Sequence, residues 1–179
     1  MEGRLLRKSS TKRLVNAALM LALGMVLPFL TGQIPSVGSR LLPMHIPALL
    51  TGYISGPLYG LLVGFIMPLF RSIIFGMPPM FPTAVAMAFE LATYGFVAGL
   101  LYKRLQKNTG NIYLSLVLAM IIGRFVWGIV SYMLYGLGES AFTWQIFTAG
   151  AFINALPGIL IQLALLPVLV LALKKARIL

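Results

Sequence analysis

Apolar residues run through this chain in blocks of about twenty, long enough for a helix to cross the ~30 Å hydrocarbon core of a bilayer. Six blocks are legible, at 11–31, 41–56, 57–75, 83–102, 111–136 and 144–173. Proline and glycine punctuate them. Pro57 suits a first helical turn, and the run Gly76-Met77-Pro78-Pro79-Met80-Phe81-Pro82 cannot continue a helix, so it reads as an ordered or capping loop. The stretch 32–43 reads as a polar loop and 137–143 as an outer turn. The second block is the weakest, because 44–56 covers only ~20 Å at ~1.5 Å per residue. A re-entrant hairpin is the alternative there.

The expected fold is therefore an all-α integral membrane protein, a single six-helix domain over 1–179 with both termini cytoplasmic. Composition agrees: of 179 residues 60% are hydrophobic and 9% charged, against about 25% charged in soluble domains. The net charge of +11 invites a nucleic-acid reading, but its placement argues otherwise. Eleven of the fourteen basic residues fall in three clusters: Arg4, Arg7, Lys8, Lys12, Arg13; Lys103, Arg104, Lys107; and Lys174, Lys175, Arg177. Each abuts an apolar block, as the positive-inside rule expects, and six crossings put all three on one side. The basic amino-terminal segment resembles a signal peptide. It lacks a small-residue cleavage site, however, and the apolar run is long for one, so it reads as the first span.

The remaining basic residues include Arg71 and Arg124, which with Glu90 are stranded inside apolar blocks. Charge in hydrocarbon is expensive and marks a bundle interior, a partner or a water-filled cavity. Counting at ~1.5 Å per residue places Arg71 and Arg124 about 20 Å from the cytoplasmic side and Glu90 about 9 Å below the outer one. All three land in the outer third, with Asn154 near that level and His45 at the mouth of the second span. Two readings stand. Glu90 pairs with one arginine while the other snorkels outward, or the layer lines a pocket open to the outside. In the second, two guanidinium groups against one carboxylate leave a cation for a carboxylate or phosphate ligand. Asn154 and Gln162 would orient neutral groups, and Trp127, Tyr94, Tyr132 and Trp144 would wall the cavity or anchor the interface.

Other chemistries lack their residues. No cysteine is present and only three acidic residues are, so disulfides and thiolate sites are excluded, a metal site is not expected, and His45 by itself reads as structural. G-x-S-x-G, H-E-x-x-H and the Walker pattern are absent, so neither hydrolysis nor self-powered transport is expected, and the chain reads as no enzyme. Small residues recur every four positions at Ala18/Ala22, at Gly56/Gly60/Gly64 and at Gly95/Gly99. Such stripes let helices approach closely in lipid. Internal packing fits Gly95/Gly99, whereas Ala18/Ala22 serve equally as a docking face for another membrane protein.

Leu42-Pro43-Met44-His45-Ile46-Pro47, then Gly52 and Gly56-Pro57-Leu58-Tyr59-Gly60, resemble the substrate-binding S components of energy-coupling factor (ECF) vitamin importers. Gly76-Met77-Pro78-Pro79 leading into Met87-Ala88-Phe89-Glu90-Leu91-Ala92-Thr93-Tyr94-Gly95 resembles them too, and the likeness covers essentially the whole chain. It implies a subunit of a prokaryotic plasma membrane importer that captures a vitamin or precursor in an outward pocket. The partners implied are a membrane coupling (T) subunit and two ABC-type ATPases, with no cofactor. The family's A-x-x-x-A motif on the first helix matches Ala18 and Ala22, which the resemblance makes a docking face for the coupling subunit. Among members, the chain is most similar to the pantothenate type. The alternative function is a self-sufficient carrier or channel using Arg71, Glu90 and Arg124.

Overall fold

Long apolar helices alternate with shorter ones along the described residues, and one of the shorter, His45–Ser55, is buried among its neighbours. The computed structural model describes residues 2–31, 34–137 and 142–176. Its helices are α1 (Glu2–Val26), α2 (Pro35–Leu41), α3 (His45–Ser55), α4 (Pro57–Phe75), α5 (Val85–Arg104), α6 (Thr109–Leu137), α7 (Trp144–Thr148) and α8 (Leu156–Lys175). No strand occurs among the described residues. Arg177, of the third basic cluster, lies outside them, as do Gly32 and Gln33 and most of the outer turn.

Among the described residues, five helical stretches are long and apolar enough to cross a membrane: Ser10–Thr31, Pro57–Phe75, Met80–Arg104, Thr109–Gly136 and Trp144–Lys175. The block expected at 41–56 becomes α3, eleven residues and about 16 Å long, nine of them buried. It begins at His45 and not at residue 41, because Leu42 turns into the left-handed region (φ 52°) and closes α2 by donating its N–H to the Gly38 carbonyl. The expected loop 32–43 thus contains a short helix, started by Pro35 in its first turn.

Glycine and proline set the other boundaries. Gly56 (φ 98°) separates α3 from α4 in one residue, a conformation that a side chain would resist, and Pro57 starts α4. Gly76 (φ 67°) closes α4. The proline-rich segment stays out of regular helix through Phe81, which is extended (φ −116°, ψ 134°), and α5 proper begins at Val85. The last block is interrupted: α7 passes into a widened, π-type turn at Ala149–Ile153, and α8 starts at Leu156.

Helix α5 is central, packing on α3, α4 and α6. Glycines set its distance from α4. A Cβ on Gly60 would come 2.5 Å from the Gly95 carbonyl oxygen, and one on Gly64 2.2 Å from that of Leu91. The reciprocal contact is as tight, with Gly95 against Gly60 at 2.3 Å, and Gly99 packs as closely on Gly52 of α3, at 2.6 Å. Gly95 and Gly99 therefore do pack internally, by backbone contact. Two apolar clusters fill in around them. One contains Leu49, Tyr53, Ile112, Leu116 and Leu166, the other Ala17, Ala48, Met67 and Leu91. On α1, Ala17 faces this core, while Ala18 and Ala22 lie on the exposed side.

Candidate substrate site

A cavity of about 500 Å³ opens beside α5, between the start of α3, the end of α4, the middle of α6 and the α7–α8 junction. It is lined by Arg71, Glu90, Arg124, His45, Asn154 and Trp127, six of the ten residues that the sequence offers for the charged layer and its walls. Counting along separate helices thus brings these side chains to one place.

At its floor Glu90 of α5, 1% exposed, meets two partners through Oε1. Arg124 of α6 approaches with Nη1 at 2.9 Å, and His45 of α3 with Nε2 at 3.4 Å. Arg124 is therefore the arginine that neutralises Glu90. Buried polar groups ordinarily find partners, and a buried ion pair is tolerated only when its remaining hydrogen-bonding capacity is met. Arg124 Nε and Nη2 and the His45 ring nitrogens find no hydrogen-bond partner among the described residues. Glu90 Oε1 and the Tyr94 hydroxyl are in the same position, so the cluster holds both donors and acceptors that lack a regular partner.

Tyr94, another of the ten, is fully buried but lies behind this cluster and not on the cavity wall. Its ring meets His45 edge-on at 5.3 Å. Gly123 makes room for it, since a Cβ there would come 2.0 Å from the Tyr94 ring. Tyr94 thus supports the histidine from one turn below Glu90. Trp127 lines the cavity one turn beyond Arg124, stacked on Phe147 at 6.3 Å, and Gly150 leaves space for the indole. Asn154 arrives directly after the π-type turn, whose widening is closed by its own N–H donating to the Ala149 carbonyl at 2.8 Å. Such turns recur at functional sites because they re-aim the residues that follow.

Arg71 has a different environment. Its guanidinium lies 4.9 Å from the Phe29 ring centroid and 5.1 Å from that of Phe75, and Nη1 donates to the Met25 carbonyl. No carboxylate pairs with it among the described residues. With the histidine neutral, the cavity wall carries two cations and one anion, a formal surplus of one positive charge. Gln162 is fully buried away from the cavity, and Tyr132 and Trp144 are exposed around a separate aromatic groove at the α6–α7 end.

Several further residues line the cavity that were not expected at the site, although Leu42, Met77, Pro79 and Met87 belong to the motifs that carry the family resemblance. Pro28, Thr31 and Leu42 come from the α1–α3 connection, and Met77, Pro79, Thr83 and Met87 from the α4–α5 side. They are ordinary apolar or small residues lying near breaks in the helices. Among the described residues no group of three or more His, Asp, Glu or Cys could hold a metal.

The fold and site together define a polytopic helical membrane protein with a largely apolar cavity that carries a net-cationic cluster of side chains. A family model for the ECF transporter substrate-specific component matches residues 12–170, and the chain belongs to that family. It is accordingly the substrate-binding subunit of an ECF importer and not an enzyme. It works with a T component and ATPases, and it is a multi-pass membrane protein. Comparison with curated proteins and with solved structures finds no match.

Proposed function

We propose that this subunit captures a vitamin-like solute bearing a carboxylate or phosphate, with pantothenate the best choice, and that Arg124 receives the anionic group. The observation that carries this reading is the pairing at the cavity floor. Glu90 engages the Arg124 guanidinium through Nη1, while Nε and Nη2 are buried and make no hydrogen bond to the described chain, so a ligand reaches them only as the cluster opens to admit it. The Nε and Nη2 edge of a guanidinium suits the two oxygens of a carboxylate. Glu90 holds the guanidinium in place and keeps the site from accumulating more than one surplus positive charge. His45 and Asn154 bind the hydroxyl and amide groups of the solute, and Trp127 covers its apolar part.

In this reading α3 counts as a sixth, short crossing shielded by its neighbours, which puts both ends of the chain on the cytoplasmic face of a prokaryotic plasma membrane. The exposed Ala18/Ala22 face of α1 then docks on the coupling subunit, where small side chains permit close approach. Delivery needs the ATPases, since the chain carries no nucleotide-binding motif of its own.

Reconstitution tests the reading. Vesicles holding this chain with its coupling subunit and ATPases should accumulate radiolabelled pantothenate with ATP, and vesicles holding this chain alone should bind it but accumulate none. Accumulation by the chain alone would make it a carrier in its own right. Absence of binding, with binding of another anionic vitamin, would reassign the substrate.

A further inference from the structure

The two arginines of the cavity are both buried, yet their partners differ in kind. Arg124 meets a carboxylate and keeps two donor atoms free of protein partners. Arg71, 1% exposed, meets two aromatic faces and a backbone carbonyl. The carbonyl belongs to Met25, where α1 passes directly into the 3-10 turn Leu27–Thr31. Pro28, three residues on, has no N–H to offer it, so the junction leaves this carbonyl short of a helical donor. Arg71 of α4 supplies the donor from a neighbouring helix.

The aromatic rings complete the arrangement. Phe29 stands just past the end of α1, and Phe75 is the last residue of α4. They meet edge to face at 5.1 Å, with the guanidinium against both. Arg71 and Pro28 both line the cavity beside this contact. One side chain therefore joins the ends of two helices at the cavity wall, and its charge is already committed to Met25 and the rings.

We propose that Arg71 is a positioning residue and not an anion receptor: with Phe29 and Phe75 it clasps the end of α1 to the end of α4 and keeps the cavity shut along that seam. The inference rests on the cavity being the capture site, and it assigns the surplus cation of that site a mechanical role. Substrate charge goes to Arg124, and the rate of access is governed by Arg71.

Chemical labelling tests this without any substrate. The chain has no cysteine, so a thiol placed at Met87, on the cavity wall, is unique. Its modification by a small charged methanethiosulfonate, in purified full-length protein, reports access to the cavity. A thiol at Gln106, exposed in the turn between α5 and α6, serves as control. In the Met87→Cys background, Arg71→Gln and Phe75→Leu should each speed labelling by about tenfold, the scale expected for losing a desolvated cation–π contact or a charge-assisted hydrogen bond. Arg71→Lys, which keeps the charge but not the planar stack, should fall between. The Gln106→Cys rate should not change.

Unchanged Met87→Cys labelling in these variants would overturn the clasp, and so would equal acceleration at both thiols, which would mean general loosening. Should Arg71→Gln fail to fold, Phe75→Leu decides, because it preserves bulk and charge and removes only the ring. Because no solute enters the assay, failure of the clasp and failure of anion capture are separate results.

Discussion

Helix α5 has two neighbourhoods that differ in almost every physical respect. Toward α4 it presents Leu91, Gly95 and Gly99, and the backbones touch with no room for a methyl group. Toward α3 and α6 it presents Glu90 and Tyr94, and around Glu90 the structure opens into a 500 Å³ cavity with polar donors left unpaired by protein. The tight side makes the open side possible. A capture site must hold its groups to within a fraction of an ångström, and side chains on packed helices do this better than side chains on loops. Fixing α5 against α4 by backbone contact leaves Glu90 at a defined place, from which it orients Arg124 and His45.

That contrast can be broken at either end. The largest effect belongs to the tight side. Gly95→Leu drives a side chain into the Gly60 backbone, neither helix can yield cheaply, and about 3 kcal/mol or more of stability should be lost. Thermal unfolding in detergent measures it, and a melting curve like that of the parent would mean that the α4–α5 seam is not what holds α5.

Arg124→Ala acts on the open side. It leaves the Glu90 carboxylate buried without its arginine, which should cost about 3–5 kcal/mol along with anion binding. The double variant Arg124→Met/Glu90→Met sharpens the point, since an ion pair replaced by apolar groups of similar size often restores stability. Its melting temperature should recover while binding stays lost, and recovery of binding would take Arg124 out of the site.

Asn154 is exposed to the cavity and makes no side-chain hydrogen bond to the described chain that would hold the fold. Asn154→Ala should leave melting unchanged and weaken solute binding by about 1 kcal/mol, the net worth of one hydrogen bond, as read by equilibrium titration. Ala22→Phe should do least to the isolated subunit. Stability and solute binding should stay at parental values, while copurification with the coupling subunit is lost. A variant that assembles normally would free the α1 face of that role.

Much of this was legible in the residues before the fold was seen. Hydropathy alone located the long helices, and counting along them brought Glu90 and Arg124 to one depth, because a helix rises by a constant step and the bilayer supplies a common ruler. The same count could not choose between Arg71 and Arg124 as the partner of Glu90. That depends on how α4 and α6 are rotated about their axes, which small differences in packing decide. Nor could it find the Arg71 clasp, since Phe29 lies 42 positions away and looks like any other apolar residue near a helix end. The helix at Pro35–Leu41 hid behind proline, glycine and serine, which read as loop, and the π-type turn before Asn154 has no residue that marks it beyond Gly150. Tyr94, expected on the cavity wall, stands behind His45 instead, a place that depends on Gly123, whose lack of a side chain matters only once α5 and α6 are side by side.

Native mass spectrometry of the purified subunit, set beside its Arg124→Gln variant, tests anion capture most directly. One small molecule per chain, carrying a carboxylate or phosphate group, is expected in the parent and none in the variant. A neutral or cationic molecule in the parent, or the same anion retained at full occupancy by Arg124→Gln, would contradict it.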